Sequence, residues 1–549
     1  VASPAKAPAS GSKPRSFRRS NSSGLGEGSA TSPAKRSFRG VRRSSVVALD
    51  QKRLSQLQHF SSATAMKEIS SREGAYDEPA AWTHRAALLF VDISGFTNLC
   101  TRVTIDRLQY HINEYFGKII NIVSAGGGDV LRFAGDALLC AWPLRPDIAD
   151  GELALALATH AACATALRLN KDASYYQIPE ANEVLSIHSG LGCGECHFFR
   201  VGSPHRFEFF PSGDPANQMF AAEGNAEHGE AVCSKAVWDV LNNRWPGCLD
   251  AKPVGDGGNR LLVALRPPPP EAWVVPEEET APSPPMAVEA AAAPAAAPVE
   301  GAPPPALARA LLCEELLRLQ RQNLAQLALR KDAHEAPLAA YVHETALQVI
   351  DEGYADARLV ESLAERRSVI VAFAKVGGLA DALDEGTGAL AALQRVLTTA
   401  TAAIDAQGGK LRQYMVDDKG VVVIWTFGTR KGTYEDNAHR ALTTAADVGD
   451  ALRAAGHANT IGLTAGNVFC GLVGSPYRCE YSVMGPSVNL AARLMCACEK
   501  KGPDVFLLCN DELRAEYESK GLDDAADGAP AFVFTSFAPM KVKGYTAPV

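Results

Sequence analysis

The sequence predicts an α/β (α+β) protein made of two ferredoxin-like domains, paired in one chain as a pseudo-two-fold intramolecular heterodimer. An internal repeat is the first reason. Gly190 to Asn217 aligns without a gap to Gly462 to Asn489 at a constant offset, with eleven of 28 positions identical. Val-Gly-Ser-Pro recurs at 201–204 and 473–476, and Arg206, Glu208, Gly213 and Asn217 recur as Arg478, Glu480, Gly485 and Asn489. The second reason is the order of elements in the first half, strand, helix, hairpin, helix, strand, which is ferredoxin-like. Duplicated domains commonly pair about a pseudo-two-fold axis, and a site at that interface draws different residues from each half.

The elements follow in order. Ala86-Ala87-Leu88-Leu89-Phe90-Val91 is a short continuous apolar run, hence a buried strand. Residues 97–124 carry Leu108, Ile112, Tyr115, Phe116, Ile119 and Ile120 on one face, which predicts a single helix. A hairpin follows, with strands at 129–133 and 137–142 and a turn at Ala134-Gly135-Asp136, where Gly135 supplies the turn conformation.

Composition sets the frame around these domains. At 549 residues the chain exceeds what one core usually spans. The expected layout is a disordered basic tail at 1–60, a first domain at 82–265, a Pro/Ala linker at 266–305, a helical connector at 306–365 and a second domain at 366–547. The connector rests on apolar spacing such as Leu311, Leu312, Leu316 and Leu319. Residues 1–45 hold ten Lys/Arg and only Glu27 as an acid, against a net charge of −8 overall. The body is therefore strongly acidic, which argues against nucleic acid as a partner. No apolar run spans a membrane and no signal peptide is expected, so the chain reads as cytoplasmic. Thirteen Cys in core-like segments fit reduced thiols rather than a disulfide framework. Arg42-Arg43-Ser44-Ser45-Val46 has the form of a basophilic kinase site, weighed against a plain solvated tail.

The chemistry lies at the ends of the predicted strands. Asp92 closes the first strand and Asp136 sits in the hairpin turn, points that a ferredoxin-like sheet brings side by side. Two converging carboxylates repel unless a cation lies between them. Mg²⁺ takes one or two carboxylates together with phosphate oxygens. Ile93, Ser94, Gly95, Phe96 and Thr97 lead into a helix N-terminus, whose N–H groups suit phosphate.

Phe90-Val91-Asp92-Ile93-Ser94-Gly95-Phe96-Thr97 and Phe133-Ala134-Gly135-Asp136-Ala137 resemble the two metal motifs of class III adenylyl and guanylyl cyclases. Val488-Asn489-Leu490-Ala491-Ala492-Arg493 resembles the Asn-x-x-x-Arg helix of the partner domain. The tandem layout is most similar to soluble, bicarbonate-responsive adenylyl cyclases. The resemblance implies ATP as substrate and cyclic AMP and pyrophosphate as products. It implies two Mg²⁺ (or Mn²⁺) ions held by Asp92, Asp136 and the Ile93 carbonyl. Arg493 would stabilise the phosphate charge and Asn489 would orient the ribose.

The same resemblance puts Gln413 at the adenine-contacting Lys, and Ser482 and Val483 at the base pocket. It puts His188 at the triphosphate Lys, and Arg132 and Phe220 at the bicarbonate-binding Lys and Arg. The guanine-selective Glu and Cys are absent, so ATP is expected over GTP. Phe220 cannot pair with an anion, so bicarbonate activation is not assigned. In the second half, Phe373 is expected at the position of Asp92 and Asp418 at that of Asp136, while Ala221 replaces Arg493 in the first. One complete site and one degenerate site follow. The alternatives are a catalytically weak or inactive nucleotide-binding scaffold, for instance in an axoneme, and a guanylyl cyclase. The scaffold reading carries with it a ciliary or flagellar location and a larger assembly.

Overall fold

The computed structural model describes Arg53 and residues 56–71, 78–145, 148–255, 257–269, 336–351, 364–417, 420–430, 432–475, 477–502, 505–520 and 532–539. The Arg42–Val46 motif, the linker beyond residue 269, the connector positions Leu311 to Leu319 and Asp418 lie outside the described residues.

The first half forms one sheet. Its strands are β1 (Ala80–Ser94), β2 (Asp129–Ala134), β3 (Ala137–Pro143), β4 (Tyr175–Ile178), β5 (Glu183–Ser203), β6 (Arg206–Ser212), β7 (Ala231–Cys233), β8 (Leu249–Pro253) and β9 (Arg260–Leu265). Their order is β2-β3-β1-β5-β7-β9-β8, with β4 and β6 also paired to β5. The path β2-β3-β1-β5 is antiparallel and ferredoxin-like, so the hairpin lies beside the first strand as its sequence predicts. Ala86 to Leu89 is buried along its whole length, which is why this run has no polar alternation.

The helix expected at 97–124 is two helices, Phe96–Arg102 and Ile105–Ala125. Val103 and Thr104 between them are extended. This β-branched pair is stiff at χ1 and a poor helix continuation. Arg366 of the second half also donates from Nη2 to the carbonyls of Cys100 (2.6 Å) and Val103 (3.2 Å), satisfying the end of the first helix. In the second helix the six expected apolar residues, Leu108 to Ile120, are all buried. Gly135 adopts φ 69° in the turn between β2 and β3, a left-handed conformation that glycine enters without penalty.

The second half repeats the plan with β10 (Glu365–Val376), β11 (Lys410–Asp417), β12 (Gly420–Phe427), β13 (Asn459–Gly474), β14 (Cys479–Met484) and β15 (Leu507–Cys509). The order is β11-β12-β10-β13-β14, with β15 parallel to β13. The repeated glycines explain how each half seats its helix. A Cβ at Gly190 would lie 2.2 Å from the Met219 carbonyl, and one at Gly462 would lie 2.1 Å from that of Ala491. Only glycine lets the helices Asp214–Glu223 and Pro486–Cys498 approach β5 and β13 so closely.

Strand register corrects one expectation. Phe373 pairs with Gly462 as Phe90 pairs with Gly190, so Phe373 corresponds to Phe90. The counterpart of Asp92, which pairs with His188, is Lys375, which pairs with Thr460. Motif matching slipped by two positions there because both strands are apolar and share their alternation.

The halves interlock. Phe199, Val201 and Phe210 at the far end of β5 and β6 belong to the core of the second half. Phe469, Val473 and Met484 of β13 and β14 belong to that of the first. Gly202 N–H donates to Gln394 Oε1 and Gln394 Nε2 to Gly202 O, both at 2.7 Å. In the repeat, Gly474 N–H donates to Asn113 Oδ1 at 3.3 Å. Arg132 Nη1 donates to Tyr414 O at 2.6 Å, and Gln413 Nε2 to Phe133 O at 3.0 Å. These reciprocal pairs mark the pseudo-two-fold axis.

Leu57 and Phe60, inside the stretch expected to be disordered, are buried. They precede a helix, Ala63–Ser71, whose first N–H groups at Ala63 and Thr64 donate to Asp129. Every described cysteine is a free thiol. Among the described residues, no helix is long and apolar enough to cross a membrane.

Candidate active site

The site is assembled from the end of β1, the β2–β3 turn and the helix Pro486–Cys498 of the other half. Asp92 lies two residues before the end of β1, between buried Val91 and Ile93. Asp136 follows Gly135 in the turn. Burial and the neighbouring Asp92 carboxylate push the Asp136 carboxyl up to about 7. His188 and Arg493 oppose that rise, so their charges also reach Asp136. The structure therefore brings Asp92, Asp136, His188 and Arg493 into one electrostatic neighbourhood.

Arg493 is half-buried, and its Nη1 is buried with no hydrogen-bond partner among the described residues. A guanidinium is costly to bury unpaired. Asn489 lies one turn earlier on the same helix face. Gly485 and Pro486 start that helix, Pro at a position where no N–H is needed.

The other predicted residues fall into two groups. Ser94, Gly95 and Phe96 lie at the junction of β1 and the short helix Phe96–Arg102, where Gly95 takes φ 93°. Thr97 starts that helix's first turn, and Ser94 Oγ lies 3.4 Å from His188 Nδ1. Gln413 is buried on β11 and reaches Phe133, three residues before Asp136. Ser482 and Val483 are buried on β14, and Ser482 Oγ accepts from Arg412 Nη2 at 3.3 Å.

Arg132 is placed elsewhere. Its Nη2 pairs with the buried Glu208, and its charged neighbours are Glu208, Glu480, Arg206 and Arg412. It belongs to an ion network across the interface and not to the carboxylate pair. Burial pulls the Glu480 carboxyl up, but Arg412, Arg478 and Arg132 outweigh it and hold its pKa below the usual value. Phe220 packs edge-on against Phe90, ring centroids 5.2 Å apart.

Two neighbours of the site escaped sequence reasoning. Glu223 ends the helix Asp214–Glu223, and its Oε1 lies 2.9 Å from His188 Nε2. The repeat maps this helix onto Pro486–Cys498, and Glu223 is the carboxylate of its last turn, so a signal existed. Arg366 grips the end of the helix after Gly95 from across the interface; one arginine at a strand start carries no pattern of its own.

Residues 79–252 match the family model of the adenylate and guanylate cyclase catalytic domain. That stretch, most of the first half, is similar to class III nucleotide cyclase catalytic domains. Adenylate cyclase type 10 of Mus musculus is 26% identical over 434 residues, covering 76% of this chain and 24% of that protein. The Homo sapiens protein of the same name is 26% identical over 427 residues, covering 74% and 23%. This chain thus spans about a quarter of the length of these curated relatives. A class III adenylyl cyclase-like ATP-binding protein from Pseudomonas aeruginosa is a solved structure with TM-score 0.49 and 13% identity. It covers 83% of this chain and 92% of its own. Class III cyclases use divalent metals, and the carboxylate pair of this domain has the donor chemistry for them.

Proposed function

We propose that this chain is an adenylyl cyclase, converting ATP to 3′,5′-cyclic AMP and pyrophosphate at one site between its two halves. The observation that carries the reading is that Asp92, Asp136 and Arg493 of the other half share one electrostatic neighbourhood, with a buried Arg493 nitrogen that has no partner among the described residues. Burial and the neighbouring Asp92 carboxylate raise the Asp136 pKa, and Arg493 Nη1 has no acceptor among the described residues. A metal–triphosphate complex satisfies both.

Asp92 and Asp136, with the Ile93 carbonyl, would hold two Mg²⁺ or Mn²⁺ ions. Bound there, such ions acidify the ribose 3′-hydroxyl and neutralise the triphosphate. The residues of the chain do the rest. Arg493 faces the α-phosphate and takes up the charge that grows as the 3′-oxygen attacks and pyrophosphate leaves. Asn489 orients the ribose. Ser94, Gly95, Phe96 and Thr97 lie against the phosphates, and Gln413, Ser482 and Val483 form the base pocket, where the absence of a Glu/Cys pair supports adenine. Holding the reactants in line supplies much of the acceleration.

A second reading, a nucleotide-binding protein without turnover, has its own support. Gln413 is already bonded to Phe133, and His188 is engaged by carboxylates rather than left for phosphate. One assay separates the readings. Residues 53–549 are incubated with ATP or GTP and Mg²⁺ or Mn²⁺, beside Asp92→Ala and Arg493→Ala. Cyclic AMP from the parent and from neither variant supports the cyclase. ATP binding without any cyclic product supports the second reading, and cyclic GMP as the main product would replace adenine by guanine.

A further inference from the structure

One cluster beside the carboxylate pair joins a ring nitrogen to two carboxylates. His188 stands opposite Asp92 on the β1–β5 ladder. Its Nε2 lies 3.5 Å from Asp92 Oδ2 and 2.9 Å from Glu223 Oε1. One ligand atom from each of the three residues lies within 4.8 Å of the others. A single imidazole nitrogen offers one proton or one lone pair, so it cannot bond two carboxylates equally well. The opposite nitrogen, Nδ1, faces Ser94 Oγ at 3.4 Å, the type of outer contact that orients a metal-binding imidazole. The three side chains are 31%, 15% and 22% exposed for Asp92, His188 and Glu223, so an ion can enter from solvent. The scaffold is rigid: two residues sit on adjacent strands, and the third ends a helix pressed onto β5 at Gly190.

We propose that Asp92, His188 and Glu223 form a site for a borderline divalent transition-metal ion, best matched by Zn²⁺, that shares Asp92 with the catalytic pair and does not use Asp136. Two carboxylates and an imidazole, with a water completing the tetrahedron, are a three-ligand zinc set. Mg²⁺ takes oxygen ligands and gains little from the imidazole. The inference stands on these three side chains and not on turnover, so it holds for a silent nucleotide-binding protein as well. Its consequence is competition: an ion on this set engages Asp92 and withdraws it from the pair with Asp136.

The test is metal binding by the full chain stripped of metal, followed by calorimetry with Zn²⁺ and with Mg²⁺, and by visible absorption with Co²⁺ as probe. The expected result is one Zn²⁺ per chain and a Co²⁺ spectrum without a thiolate charge-transfer band. His188→Ala and Glu223→Gln each weaken Zn²⁺ binding by on the order of tenfold or more while sparing Mg²⁺. Asp136→Asn does the reverse. Circular dichroism checks folding, and Glu223→Gln, at a helix end, decides alone if His188→Ala misfolds. Zn²⁺ affinity unchanged in the folded variants, a thiolate band, or equal loss of Zn²⁺ in Asp136→Asn overturns the proposal.

Discussion

Lys375 stands in the second sheet where Asp92 stands in the first: each occupies the same rung of its ladder, opposite Thr460 and His188 respectively. Lys375 Nζ bonds Glu499 Oε1 at 2.7 Å. A cation at that rung repels a metal ion, so the mirror site is closed to metal by charge and not merely by loss of a ligand. Ala221 stands where the repeat has Arg493 in the second half, so the mirror site also lacks the guanidinium proposed to act there. Lys375→Asp is therefore expected to add no second active site: cyclic nucleotide formation per chain stays at the parent level.

Asp136→Asn separates repulsion from chemistry. The Asp136 carboxyl is held up near 7 by burial and by Asp92, so its charged form is disfavoured in the fold. An acid whose folded pKa lies above its unfolded value costs stability above the unfolded pKa. The metal-free variant should gain stability at pH 8, on the order of 1–2 kcal/mol after allowing for solvent screening and the coupling to Asp92. The gain should shrink as pH falls from 7 towards 4. Urea melts across that range in a metal chelator test the sign, while turnover should be abolished.

Arg493→Lys keeps the charge but loses the planar fork. Turnover should fall by roughly 10²–10³, as for other losses of a preorganised donor at developing charge. ATP affinity should change much less. Single-turnover rates beside equilibrium ATP binding check the split.

Glu208→Gln tests the interface network. Glu208 is buried and accepts from both Arg132 and Arg206. Removing its charge leaves two guanidiniums short of a counter-ion, which typically costs about 3–5 kcal/mol. The midpoint of denaturant unfolding should fall accordingly, and both sheets should melt together.

His343 is a pH-sensitive stability element. Burial, with Arg206, Arg412 and Lys410 nearby, holds its pKa well below 6.5, and its ring stacks on Tyr481 at 4.8 Å. It stays neutral in the fold, whereas the unfolded chain takes up a proton below pH 6.5. Its share of stability is present above pH 6.5 and is lost as pH falls below that value. His343→Phe should flatten the decline of stability between pH 6.5 and 5, read from melting temperatures at stepped pH.

Much of this was legible in the chain. The repeat between Gly190 and Gly462 marks helices that must touch a strand backbone, and those helices carry Glu223 and Arg493. The apolar run at Ala86 and the Gly135 turn locate the two carboxylates, because strand and turn signals are local. What stayed hidden depends on register and on contacts far apart in sequence. Phe373 and Lys375 are two residues apart in a strand of period two, so pattern alone cannot choose between them. Arg132 reads as a site cation until Glu208 is seen beside it. The break at Val103 depends partly on Arg366, more than 250 residues later.

The crossed arms have a consequence for how the chain is made. Phe199 and Phe210 leave the ribosome with no shelter of their own, since the core that receives them includes Leu393 and Leu463. At translation rates of about 5–20 residues per second, the stretch from Phe210 to Leu393 takes roughly ten to forty seconds to emerge. Through that interval the nascent first half presents an aromatic strand end to solvent, a natural target for chaperones. A chain arrested before the second half should be captured by them and should aggregate once released.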